Sequence, residues 1–535
     1  MIAALVALAL AVATSATAAP APPIPLPTPP VFLPTVGTLF VRHSQAFGLL
    51  PVGSIRWTGT VTSGGTQATY DTIADAKGHF RQDFTLALST HAEGDDGAHF
   101  WQQDENGNVT ITDTDNHHNA VSRLLRLNDY KFDTPGAKVT GITYLDGRRA
   151  YVVNTRVGQV DATLYVDAAS ALVDGGDFAD RTIRYSAYRR FEGVPVPTLS
   201  VDTDSTGTTT TSVDDVHFAA PVSSTTFTAP SQREPDMPAG KGEVTVPFDT
   251  DRGLIIIGCA INGSYVHLLL DSGSSTSVID AQVATRLGMP TGGVAHINAA
   301  GELTGTVTRA TTLAIGGAVF HDFVMEAVPL QLPESLAHDH IDGIAGFDVF
   351  AQLVARISYF DSQVRFMLPS AFTYSGTGVV LPLAIDNRVS RVGAKLGRGD
   401  PVTLTLDTGS DAALVLYREY ADAHPNDFET QNTVANNELG IGSNQGPVTP
   451  DLANNQRAIQ SARGAGGGEI PVRITTVSQL SLGDFSLVNL FTQVVLHATG
   501  AFAPTVSDGI VGAGALSQFG AVFIDYPGLR LILEK

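Results

Sequence analysis

A chain of 535 residues with 43% hydrophobic content is too long for one ordinary core and is expected to form several well-packed domains. Its net charge of −21, from 53 acidic and 32 basic residues with no basic stripe, argues against a nucleic-acid partner, because phosphate binding needs clustered Lys and Arg. The single cysteine, Cys259, rules out an intrachain disulfide and a CxxC metal knuckle, and reads as a buried small hydrophobe.

The chain opens with an apolar, alanine-rich run over residues 1–19, carrying small-residue cleavage patterns at Ala16-Thr17-Ala18 and Thr17-Ala18-Ala19. This reads as a signal peptide, which puts the mature protein in the periplasm or outside the cell. The run lacks a positive leading region and is just long enough to span a membrane if it stays uncleaved; no stable membrane insertion is expected otherwise. Residues 20–36 are a proline-rich, extended spacer.

Residues 37–229 read as strand–turn–strand, with runs such as Ser54–Val61, His79–Leu86, Asn108–Thr114, Ala150–Thr155, Ala162–Val166, Thr182–Tyr188 and Thr208–Val216. Turn signals such as Asp146-Gly147 separate them, and only His118–Leu127 reads as a short helix. The expected form is a curved, mostly antiparallel sheet. Three of its pieces resemble the periplasmic lipoprotein-carrier half-barrel: Phe100-Trp101, LYVDAASALV from Leu164, and YRRFEGVPVP from Tyr188. That resemblance implies a concave apolar surface suited to acyl chains or hydrophobic peptides; an accessory β domain without a ligand is the other reading. His91, Asp95, Asp96, His99, His117 and His118 share this stretch but match no metal-ligand spacing, so neither metal nor cofactor is expected. Residues 230–243, with three prolines, read as an interdomain linker.

From Val244 onward the chain repeats itself. Three leucines, Leu268 to Leu270, run into Asp271-Ser272-Gly273-Ser274; later Leu404-Thr405-Leu406 runs into Asp407-Thr408-Gly409-Ser410. Each copy places one carboxylate at the end of an apolar strand, in a small-residue turn where glycine lets backbone come close. Each then has a Gly-containing segment, Gly301 in the first copy and Gly466, Gly467 and Gly468 in the second. A strand at matching separation follows, and then Asp-Gly-Ile-x-Gly at Asp342 and Asp508. Residues 244–370 and 378–535 are the two expected lobes.

This half of the chain resembles retropepsin-like aspartic peptidases, here with two copies fused. The resemblance implies all-β lobes related by a pseudo-two-fold, with catalytic carboxylates at Asp271 and Asp407. Ser272 and Thr408 would cross-link the two turns, and Ser274 and Ser410 would hydrogen-bond the outer carboxylate oxygens. Gly301 and Gly466–Gly468 would lie in flaps. There are departures: an insertion at Asn426–Gln460, a third carboxylate at Asp411, and no tyrosine at either flap tip.

The chemistry needs this pairing. Two carboxylates within about 3 Å share one proton, so one can act as base on a water while the other polarises the scissile carbonyl. Which Asp takes which role is open from the sequence. The expectation is an exported aspartic endopeptidase, a mostly β monomer acting on peptide or protein substrates. The alternative is a non-catalytic periplasmic carrier of hydrophobic ligands or peptides.

Overall fold

The computed structural model describes residues 32–48, 53–75, 77–113, 131–157, 160–205, 207–251, 253–298, 302–330, 341–428, 459–463, 469–496 and 507–535. The expected signal peptide, the expected helix His118–Leu127 and nearly all of the Asn426–Gln460 insertion lie outside the described residues. The described chain is mostly β, in two sheet systems.

Its first element corrects the strand–turn–strand reading. Val36–Phe47 is a helix, α1, capped by Thr35, whose hydroxyl accepts from the Thr38 amide at 3.1 Å. Val36, Leu39, Phe40, His43 and Phe47 fall at helical spacing. Leu39 is fully buried, in one cluster with Phe132 and with Val153 and Leu164 of the following sheet. The helix therefore covers apolar surface that the sheet cannot bury by itself.

Thirteen antiparallel strands, from Ser54–Ser63 to Gly207–Ala219, make this N-terminal sheet. Its first and last strands pair in the middle, Trp57 opposite Val216, while Val109–Asp113 and Lys138–Leu145 form the edges. Seven of the expected runs are strands here, each with ends within three residues of those expected. One face holds a cavity of about 260 Å³, lined among others by Trp57, Tyr70, Phe84, Ile183, Tyr185 and Val196.

Twenty strands between Glu243–Asp251 and Arg530–Glu534 make the second system. In it, Val354–Ser358 pairs with Ala521–Asp525, Ala355 opposite Ile524, and joins the 244–370 stretch to the 378–535 stretch through backbone hydrogen bonds. Cys259 is buried in the shared core, where burial pushes its thiol up to about 12. Among the described residues no helix is long and apolar enough to cross a membrane.

The stretch read as a linker is pinned to both sheet systems within its first half. Arg233 donates its amide to Gly107 O, and Asp236 exchanges backbone bonds with Val319 at 2.9 Å. Beside it the loop 104–108 clasps the second system. The Asn106 side chain donates to Val324 O at 3.0 Å and accepts from Val324 N at 2.8 Å, acting as one rung of a strand. Arg388 grips the Glu105 carboxylate at 2.9 and 3.2 Å.

Candidate active site

Each Asp-containing turn is delivered by a buried strand and supported by a parallel one. Ser264–Leu270 runs parallel to Gly343–Ala345, and Asp400–Asp407 runs parallel to Gly509–Gly512. The repeated Asp-Gly-Ile explains itself here. Asp342 accepts from the His267 amide at 2.9 Å and Asp508 from the Thr403 amide at 2.8 Å, so each carboxylate ties its supporting strand to the middle of the strand it supports. Gly346 and Gly512 then let that strand pass under the turn: a Cβ would stand 2.4 Å from Thr276 O in one place and 2.2 Å from Ala412 O in the other.

The turns meet back to back through two fully buried hydroxyls. The Ser272 amide donates to Thr408 Oγ1 at 3.0 Å, and that hydroxyl donates to Leu270 O at 2.7 Å. Reciprocally, the Thr408 amide donates to Ser272 Oγ at 3.1 Å, which donates to Leu406 O at 2.9 Å. Four hydrogen bonds between buried groups fix the distance between the turns.

That distance brings Asp271 and Asp407 together, and their carboxyl groups hydrogen-bond each other. The approach is possible only without side chains at the glycines. A Cβ on Gly273 would sit 2.5 Å from Asp407 Cγ, and one on Gly409 would sit 2.3 Å from Asp271 Cγ. Each carboxyl thus lies over the other turn's glycine. Gly273 N donates to Asp271 Oδ1 at 2.8 Å, and Gly409 N donates to Asp407 Oδ1 at 2.9 Å.

Burial raises both carboxyl groups above the usual range. For Asp407, which is held well above it, the neighbouring Asp271 charge adds to burial. For Asp271 the hydrogen bond from Asp407 and the amides of Gly273, Ser274 and Gly409 act against burial. Two buried carboxyls this close cannot both ionise readily, because their charges repel, so they share a proton.

Ser274 departs from its expected role. It reaches Asp271 Oδ1 through its amide, at 3.1 Å, while its hydroxyl turns away to Thr276 O at 2.8 Å. The amide of Ser410 likewise favours the ionised form of Asp407. Asp411 is exposed, and the strongest influences on Asp407 come from burial, Asp271 and the two amides. The flap candidates Gly301, Gly466, Gly467 and Gly468 lie outside the described residues. The strands flanking them do pair as hairpin arms, Asn298 opposite Glu302 and Arg463 opposite Glu469.

Sequence reasoning missed Tyr526, whose hydroxyl donates to Ser272 O at 2.8 Å from 254 residues away. The available signal was a tyrosine at the same place, Tyr359 and Tyr526, in each closing hairpin. Among the described residues no group of three or more His, Cys, Asp or Glu side chains could hold a metal ion.

A family model described as aspartyl protease matches residues 257–349, the stretch containing Asp271 and Asp342. No curated protein matches the chain. Among solved structures, an aspartic proteinase from Irpex lacteus is similar at 16% identity over 55% of this chain and 97% of its own, with a TM-score of 0.31. A retropepsin-like aspartic protease from Rickettsia conorii is similar at 15% identity over 30% of this chain and 94% of its own, TM-score 0.18. A LolA superfamily protein from Nitrosomonas europaea is similar at 12% identity over 37% of this chain and 98% of its own, TM-score 0.29.

Proposed function

We propose that this protein is an exported aspartic endopeptidase in which residues 244–370 and 378–535 form two lobes, each giving one carboxylate to a single dyad. The observation that carries the reading is the crossed geometry of the turns, with Asp271 and Asp407 hydrogen-bonded over each other's glycines. The family match over residues 257–349 supports the coarser reading, an aspartic peptidase. Export rests on the apolar run Met1–Ala19 and its small-residue cleavage patterns.

In this reading the ionised carboxylate takes a proton from a water held between the pair, and that water attacks the scissile carbonyl. The protonated carboxyl donates to the carbonyl oxygen as charge develops there, and a proton then goes to the leaving amine. No covalent intermediate forms on the protein. The hairpins ending near Asn298 and Arg463 would hold an extended peptide by strand-like hydrogen bonds.

The test is cleavage of a mixed peptide library across a range of pH, with Asp271→Asn and Asp407→Asn and a statine-type inhibitor alongside. Loss of cleavage in each single variant is expected; a single variant with full activity defeats the shared dyad. A second reading, a carrier of hydrophobic ligands, is favoured by the apolar cavity on the N-terminal sheet. Lipid co-purifying with a protein that cleaves no peptide would decide for it.

A further inference from the structure

Behind the dyad the two turns stop being alike. Tyr526 follows the strand Ala521–Asp525, whose hairpin closes at Asp525 opposite Arg530; Tyr359 follows Val354–Ser358, whose hairpin closes at Ser358 opposite Gln363. The two tyrosines thus hold the same place, and both hydroxyls are buried. Their surroundings differ. Tyr526 donates to Ser272 O at 2.8 Å, and its oxygen lies 2.9 Å from the buried Ser390 Oγ. A phenol has one proton, so with that proton on the Ser272 carbonyl its oxygen takes the proton of Ser390. The rings of Phe347 and Phe350 flank it at 5.9 and 5.4 Å. Tyr359 Oη, by contrast, meets no hydrogen-bond partner among the described residues, and its ring packs edge-on against Phe248.

Strand register gives one reason for the difference. Val392 pairs with Leu404, two residues after Ser390. In the earlier stretch Ile257 pairs with Leu268, which puts Ile255 in the place of Ser390. An isoleucine has no group to orient a phenol.

The consequence runs through one peptide unit. The carbonyl of Ser272 and the amide of Gly273 belong to the same peptide bond, and that amide donates to Asp271 Oδ1. A hydrogen bond on the carbonyl side of a peptide polarises it and strengthens donation from its N–H. The matching amide of Gly409 donates to Asp407 without a tyrosine bond behind it.

We infer that Tyr526 is a positioning residue that acts on Asp271 through the Ser272–Gly273 peptide, making Asp271 the general base and Asp407 the acid of the pair. The inference rests on the dyad reading above and extends it, since the sequence alone left the two roles open.

The test combines a carboxyl-carbon NMR titration of aspartate-labelled protein with kcat and KM profiles against pH, on the wild type, Tyr526→Phe and Tyr359→Phe. Loss of the Tyr526 bond should weaken donation by the Gly273 amide by roughly 10–30%, raising the lower apparent pKa of the pair by about 0.3 unit. The acid limb of the activity profile should move to higher pH by the same amount. At a pH on that limb kcat should fall about twofold with KM unchanged. Tyr359→Phe should leave the pair's titration unchanged. Tyr526→Phe titrating like the wild type, or Tyr359→Phe shifting the pair equally, overturns the inference. A wild-type protein that cleaves no peptide overturns the peptidase reading instead, because the titration still reads what Tyr526 does to Asp271.

Discussion

The turn at Asp271 and the turn at Asp407 share their residues, their parallel supporting strands and their reciprocal hydroxyl bonds, yet one layer further out they part. The Asp271 turn receives a phenol from Tyr526 and the Asp407 turn receives none. The stretch around the first turn also faces the N-terminal sheet, and it carries buried carboxyls where the other stretch has small or neutral residues. Val278 pairs with Glu326 and Leu414 with Thr492, so Thr492 stands where the first stretch has Glu326. Counting from Asp342 and Asp508, Gly514 stands where it has Asp348. Equal motifs therefore bring equal groups to the centre, while the surroundings of those groups are unequal.

The largest expected effect tests whether the turns are equal at the centre itself. Asp271→Asn and Asp407→Asn should each lower kcat/KM by about 10³-fold, the scale of a general acid or base, with the fold retained. A tenfold difference between them would break the equality; equal losses uphold it.

Next come the glycines. Gly273→Ala pushes a methyl against Asp407, and Gly409→Ala pushes one against Asp271. Each should cost about 10²-fold in kcat, because displacing a reacting group by about 1 Å has that effect. The NMR titration sharpens the point. The first variant should disturb the Asp407 signal most and the second the Asp271 signal, and the reverse pattern would defeat the crossed arrangement.

The hydroxyls behind the turns should matter equally for stability. Ser272→Ala and Thr408→Val each strand a buried amide and a buried carbonyl, and urea unfolding should register about 2–3 kcal/mol for each. Thr408→Ser keeps the hydroxyl and should cost less than about 1 kcal/mol.

The smallest effect concerns the carboxyls that only the first stretch carries. Burial raises Glu326 to about 7, with the charges of Glu105 and Asp348 adding and Arg388 opposing. Burial likewise raises Asp348 to about 6, with Asp104 and Glu105 adding and Arg388 opposing. Carboxyls raised in the folded state contribute their full stability below the ordinary carboxylate range and lose it as pH rises through about 6 to 7. Glu326→Gln should therefore match the wild type in acid and exceed it near pH 8 by about 1 kcal/mol, after discounting for partial exposure. Thermal melts at both pH values check this. A variant no more stable than the wild type at pH 8 would remove the contrast with Thr492.

The centre of the site was legible because the same few residues occur twice, at the ends of apolar strands, and local patterning reveals strand ends. The alternating runs at Ser54–Val61 and Thr208–Val216 were legible for the same reason. Helix α1 was not read, although Val36, Leu39, Phe40, His43 and Phe47 carry its period, because the proline-rich stretch before it suggested an extended chain. Ser274 was assigned to Asp271, and no pattern distinguishes a bond made by its amide from one made by its hydroxyl. The Asn106 clasp needed the backbone of Val324, 218 residues away, which no local window contains.

By itself the sequence determined which groups meet at the centre: two carboxyls, two glycines and two hydroxyls, since residue type and strand register are properties of the chain. Only the tertiary structure decided that the surroundings of the two carboxyls differ. The Tyr526 hydroxyl lands on the Ser272 carbonyl and the Tyr359 hydroxyl on nothing, and a hydrogen bond depends on placement to within a few tenths of an ångström, which packing across the whole core sets.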